Sequence, residues 1–99
     1  MFARALVPVQ TNNRMKYIKL YEQAQPEKRI GYYANGSIEY EAWYQNGKIH
    51  REDGPARIKY YPNSSIEFEW WYWHGEKVED ITSLEDFRAW QYLKSVGLV

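Results

Sequence analysis

Ninety-nine residues carrying thirteen basic and thirteen acidic side chains make one domain with no net charge, a balance that excludes a general polyanion binder and an acidic nucleic-acid mimic. Phe, Trp and Tyr supply 18% of the chain while 26% is charged, so amphipathic rings must furnish the core and several must lie near water. The chain has no cysteine, which excludes disulfides, a thiol nucleophile and Cys-ligated zinc and fits the reducing cytoplasm.

From the N-terminus, residues 1–13 read as an arm. Its apolar run around Phe2, Leu6, Val7 and Val9 is too short and interrupted for a signal-peptide core or a membrane span, and Gln10 to Asn13 read as a linker. The arm is expected to form an edge strand or to cover one face of a sheet. Strands are expected near Met15 to Tyr21, Lys28 to Ala34, Ser37 to Gln45, Lys48 to His50, Ala56 to Tyr61, Ser65 to Trp73 and Glu76 to Val78. Turn signals separate them: Asn35-Gly36, Asn46-Gly47, Asp53-Gly54, Pro62-Asn63-Ser64 and His74-Gly75.

The segment Arg29 to Gly47 matches Arg57 to Gly75 at twelve of nineteen positions, an offset of 28 residues. A repeat of that length is a supersecondary unit that stacks on its neighbour. Alternation along each strand puts Ile30, Tyr32, Ile38, Tyr40, Ala42, Tyr44, Ile58, Tyr60, Ile66, Phe68, Trp70 and Tyr72 on an expected core face. The other side carries Arg29, Tyr33, Glu39, Glu41, Trp43, Arg57, Lys59, Tyr61, Glu67, Glu69, Trp71 and Trp73. After the sheet, expected over residues 14–78, Thr82-Ser83-Leu84-Glu85 offers a capping box. A helix is expected over residues 82–96, with Gly97 at its C-terminal end. The fold class is therefore mainly β with one C-terminal α-helix, an antiparallel meander of β-hairpin repeats.

Trp43-Tyr44-Gln45-Asn46-Gly47-Lys48-Ile49-His50-Arg51-Glu52-Asp53-Gly54-Pro55-Ala56 and Tyr60-Tyr61-Pro62-Asn63-Ser64-Ser65-Ile66-Glu67 resemble the MORN-variant repeat proteins, which include bacterial antitoxin-like proteins and phage or large-virus proteins with HREDGPA-type linkers. The resemblance covers residues 29–78. It implies β-hairpin repeats and interaction with another protein, with no catalytic residue to carry over, in a bacterial or phage-infected cell. Two departures stand out: Ser64 replaces the turn glycine, and Val78-Glu79-Asp80-Ile81 lacks the linker signature. The second suits a terminal unit that feeds a helix.

His50-Arg51-Glu52-Asp53-Gly54-Pro55 has the residue types for acid/base work or metal binding. A structural reading explains more of it: Asp53 bonding turn N–H groups, Gly54 left-handed, Pro55 pre-setting φ and Arg51 pairing locally. His74 aligns with Asn46, so the histidines are not equivalent. The expectation is a protein that is not an enzyme, without metal or cofactor. Its leading function is a protein-binding module, an antitoxin-like neutraliser or a phage-encoded inhibitor. The alternatives are single-stranded nucleic-acid or glycan binding through aromatic stacking, with Arg29, Arg57 and Lys59 on phosphates, and membrane-surface association. Edge strands leave homo-oligomerisation open. The expected binding residues are Tyr33, Trp43, Arg57, Lys59, Tyr61, Trp71 and Trp73, whose rings either form an interface or are covered by the arm or helix.

Overall fold

The computed structural model describes residues 9–99. In chain order these form helix α1 (Val9–Ala24), strands β1 (Glu27–Tyr32), β2 (Ile38–Gln45), β3 (Lys48–Ile49), β4 (Arg57–Tyr60), β5 (Ile66–Trp73) and β6 (Glu76–Val78), and helix α2 (Leu84–Ser95). The strands make one antiparallel sheet in the order β1-β2-β4-β5-β6, with β3 also pairing with β2. The mainly β hairpin meander with a C-terminal helix is as the pattern dictates.

The repeat is a spatial unit. In the first tight turn the Asn35 side-chain oxygen accepts the Ser37 N–H at 2.9 Å; in the second, Asn63 accepts that of Ser65 at 3.0 Å. Gly36 and Ser64 occupy the same left-handed position, with φ of 90° and 73°. Each unit also has a bulge at the same place. The register steps from Tyr40↔Gly31 to Ile38↔Tyr32 and from Phe68↔Lys59 to Ile66↔Tyr60, leaving Glu39 and Glu67 as the extra residues. Re-aimed in this way, both glutamates flank Lys59, at 3.9 and 3.5 Å.

One expected strand is corrected. Met15 to Tyr21 lies in α1, so the sheet begins at Glu27 rather than at residue 14. The short alternation there was misleading: Arg14, Met15, Lys16, Lys19, Leu20, Glu22, Gln23 and Ala24 are strong helix formers, and Ile18 is the one β-branched residue among positions 14–24. Every described side chain from Arg14 to Tyr21 is exposed. The expected covering role of Phe2, Leu6 and Val7 falls outside the described residues, while Val9 starts α1.

The face assignment is also corrected. Directly opposed residues share a side of a sheet, and the pairs Ile30↔Glu41, Glu41↔Ile58 and Ile58↔Glu69 join the isoleucines of β1 and β4 to the glutamate–tryptophan side of β2 and β5. Arg29, Arg57 and Lys59 join Tyr40, Ala42, Phe68 and Trp70 instead. Alternation fixes which residues share a side within one strand; register decides which sides meet. The core lies on the Ile58 and Trp71 side. Ala56, Ile58, Trp71 and Val78 are buried there, and Phe87 of α2 is fully buried on Trp71, ring centroids 4.9 Å apart. Trp73, Ile81 and Trp90 pack around this cluster.

Helix α2 starts as its signal requires, one residue later than Thr82 alone would place it. Ser83 is the N-cap, its hydroxyl accepting the Asp86 N–H at 3.1 Å, with Glu85 and Asp86 against the positive helix end. Gly97, with φ of 81°, closes it: its N–H donates to Lys94 and the Leu98 N–H to Leu93. Among the described residues no helix is long and apolar enough to cross a membrane.

Candidate interaction face

The side of the sheet opposite α2 is built from alternate residues of four strands: Arg29 of β1, Tyr40, Ala42 and Tyr44 of β2, Arg57 and Lys59 of β4, and Phe68, Trp70 and Tyr72 of β5. Cations lie over the rings. The Arg29 guanidinium is 4.3 Å from the Tyr44 centroid, Arg57 is 5.4 Å from Tyr40, and Lys77 of β6 is 4.0 Å from Trp70. Phe68 stacks on Trp70 at 4.1 Å. Two small residues make this close layer possible. Ala42 is a fully buried floor, and the Tyr40 ring lies so low over Gly31 that a Cβ there would sit 2.1 Å from it. The rings are half-buried by one another, and no helix covers them among the described residues.

Three of the four cations on this face are paired with glutamates. Lys59 is offset by Glu39 and Glu67, Arg29 by Glu27 at 3.1 Å and Lys77 by Glu79 at 3.9 Å. Arg57 makes no ion pair among the described residues, and its planar guanidinium offers donors beside an aromatic ring. Such a surface can bind a carboxylate or another anion through Arg57 while an apolar or aromatic group stacks on Tyr40 or Trp70.

The seven expected binding residues are divided by the fold. Arg57 and Lys59 stand on the open face. Tyr61 is exposed in the β4–β5 turn, and Tyr33 is half-buried, its hydroxyl donating to the Tyr60 carbonyl at 2.6 Å. Trp43, Trp71 and Trp73 lie on the α2 side, and for Trp71 and Trp73 the alternative of cover by the helix is the one the fold takes. Trp71 is only 6% exposed beneath Phe87, and Trp73 packs edge-on to Trp90 at 5.9 Å. Trp43 is held between Lys28 and Arg51, at 5.2 and 3.9 Å. The residues that alternation alone misplaced are Tyr40, Tyr44, Phe68, Trp70 and Tyr72, all allotted to the core. In the true register Arg29, Arg57 and Lys59 oppose rings and Ala42 rather than glutamates, so charge pairing in the sequence held no signal for it.

The HREDGP segment is a plug. Arg51 lies over Trp43, bonds Asp53 at 3.0 Å and donates to the Pro55 carbonyl at 3.1 Å. Gly54 is not left-handed, contrary to expectation; the Arg51 guanidinium lies so close over it that a Cβ would sit 2.7 Å from the guanidinium carbon and would push that side chain aside. His50 is fully buried, stacked on His74 at 4.0 Å, and its Nδ1 accepts the His74 N–H at 2.9 Å. That bond fixes the neutral tautomer with the proton on Nε2, which faces Glu52 at 3.5 Å. Burial, helped by the charge of His74 and opposed by Glu52, holds its pKa below 6.5.

Across the sheet on the same side, the Tyr60 hydroxyl donates to Glu41 at 2.7 Å, and this bond together with burial pushes its pKa up to about 12. Burial alone would raise the Glu41 carboxyl, but Lys28 at 2.7 Å and Tyr60 outweigh it and hold the group below its ordinary range. A shallow polar cleft of about 240 Å³ lies between the end of α1 and α2, lined in part by Glu52, Asp53, Arg88 and Gln91.

Comparison with protein-family models, curated proteins and solved structures finds no match for this chain.

Proposed function

We propose that this chain is a protein-binding module whose working surface is the open sheet face. The observation that carries the reading is the layer of Tyr40, Phe68, Trp70 and Tyr72 interleaved with Arg29, Arg57 and Lys77 on a side that α2 leaves bare. Aromatic residues and arginine dominate the energetic centres of protein interfaces. The partner this chemistry suits is a protein segment pairing acidic with apolar or aromatic side chains. An antitoxin-like neutraliser and a phage-encoded inhibitor are two forms of the same activity, distinguished by what is bound.

The test is affinity capture from bacterial lysate with the parent protein, Trp70→Ala and Arg57→Ala, each first checked for an unchanged near-UV spectrum. A partner retained by the parent should bind Trp70→Ala at least tenfold more weakly, as a truncated interface centre does. Equal retention by all three proteins would place the binding surface elsewhere.

A second reading, single-stranded nucleic-acid binding, gains from the register, which sets Arg29 and Arg57 beside Tyr44 and Tyr40. Titration of tryptophan fluorescence with a short oligonucleotide at low salt separates the two. Salt-sensitive quenching supports this reading, and a flat response removes it. The cytoplasm remains the proposed location.

A further inference from the structure

Five side-chain hydrogen bonds tie the two repeat units together; one, from Lys59 to the Tyr33 hydroxyl at 3.5 Å, has no counterpart at the 28-residue offset, where Gly31 stands for Lys59. In the other four, the Tyr33 hydroxyl donates to the Tyr60 carbonyl at 2.6 Å, Asn35 and Ser37 donate to the Pro62 carbonyl at 3.4 and 3.1 Å, and the Tyr60 hydroxyl donates to Glu41 at 2.7 Å. The groups of these four recur at the 28-residue offset, on two opposite edges of the molecule. Tyr61, Asn63, Ser65 and Glu69 stand in and beside β5 where Tyr33, Asn35, Ser37 and Glu41 stand in and beside β2. Tyr32 and the Ala34 carbonyl stand at β1 where Tyr60 and the Pro62 carbonyl stand at β4.

The main chain is open at both places. In the first unit β4 lies along Tyr40 to Ala42 of β2, with Glu41 opposite Ile58. In the second, β6 pairs with Trp71 to Trp73 only, α2 packs on Trp71 and Val78, and among the described residues no strand lies along that side of Phe68 to Trp70. On β1, the residues opposite Glu41 and Trp43 are Ile30 and Lys28. The Trp43 N–H bonds Ala56 on the β4 side, so the polar groups of Glu41 and Trp43 face β4, and those of Ile30 and Lys28 face outward from β1. Exposure agrees: Ile66 and Tyr61 are 52% and 48% exposed, whereas their counterparts Ile38 and Tyr33 are half-buried beside the second unit. Tyr32 is 60% exposed while its counterpart Tyr60 is half-buried.

We propose that copies of this chain join end to end, β1 of one copy adding antiparallel to the outer edge of β5 of the next. The register follows from the one inside the chain: Glu69 opposite Ile30 of the second copy, Phe68 opposite Gly31 and Trp70 opposite Arg29. The Tyr32 hydroxyl of the second copy then donates to Glu69, while Tyr61, Asn63 and Ser65 donate to that copy's Tyr32 and Ala34 carbonyls. The contact is heterologous, so it propagates the repeat from copy to copy instead of closing on a two-fold axis. It uses sheet edges alone and leaves the open face free, so it stands or falls separately from the proposed function.

The chain lacks cysteine, so Ile30→Cys and Glu69→Cys proteins each carry a single thiol. Directly opposed antiparallel residues lie within disulfide reach, at a Cα separation of about 5.5 Å. Mixed and oxidised, the two proteins should give the 30-to-69 disulfide in excess over both homodimers. In sedimentation velocity the parent should gain mass with concentration, and Tyr32→Phe, which keeps the ring and removes one bond to a carboxylate, should associate about tenfold more weakly. A parent that stays monomeric from micromolar to millimolar concentration overturns the proposal. So does unbiased cross-linking, or a predominance of the 30-to-30 dimer, which would indicate two-fold pairing of β1.

Discussion

His50 and Tyr60 set opposite ends of a pH window, because both are held neutral by the fold. His50 takes up a proton less readily folded than unfolded, where its pKa is 6.5, so its contribution is present above pH 6.5 and lost as pH falls toward the lower folded value. Tyr60 ionises at about 12 folded against 10.0 unfolded, so its contribution is full below pH 10.0 and lost as pH rises toward 12. Urea midpoints measured across pH should fall at both ends in the parent; His50→Gln should flatten the acid limb and Tyr60→Phe the alkaline one. Left-handed Ser64 gives a third expectation. Ser64→Gly should stabilise the protein by about 0.5–1 kcal/mol, since relief of the Cβ strain outweighs the added freedom of the unfolded chain. The position was legible, because Ser64 stands where the repeat has Gly36. The burial of His50 was not, since it comes from His74 and Trp73, which lie more than twenty residues along the chain.

At the scale of elements, α2 does for the second unit what the HREDGP plug does for the first. Arg51 lies on Trp43, and Phe87 lies on its repeat counterpart Trp71. The cost of removing each should differ. Phe87→Ala leaves a hole at a fully buried site and should cost about 3–5 kcal/mol. Arg51→Ala loses a cation–π contact and hydrogen bonds at a partly exposed site and should cost about 1–2 kcal/mol. Denaturant midpoints of the two variants check the ranking, and equal losses would mean that the helix is not the cap of the sheet. Helix α2 was readable because Ser83, Phe87, Trp90 and Gly97 combine a cap, a spaced apolar stripe and a stop. Helix α1 was not: its apolar and basic residues alternate over a stretch short enough to imitate a strand, and its described side chains pack on nothing that would impose a clearer stripe.

For the whole molecule, the repeat, the meander and the cap were legible, while the choice of buried side was not. Both sides of β2 and β5 carry large rings, so hydrophobicity leaves the choice to register and to where α2 lands. The consequence is an aromatic layer that this chain covers with no helix among the described residues. Helix α1 is the remaining element able to matter, and among the described residues its hydrogen bond to the sheet is the one from the Gln45 side-chain amide to the Ala24 carbonyl. One such bond is worth about 1 kcal/mol, equivalent to roughly 4–8 °C in melting temperature for a domain of this size. Protein lacking residues 1–24 should therefore melt no more than about 8 °C below the parent and keep the near-UV spectrum of its tryptophans. A larger fall would mean that the removed segment shields Tyr40, Phe68 and Trp70, and binding at the open face would then require its displacement.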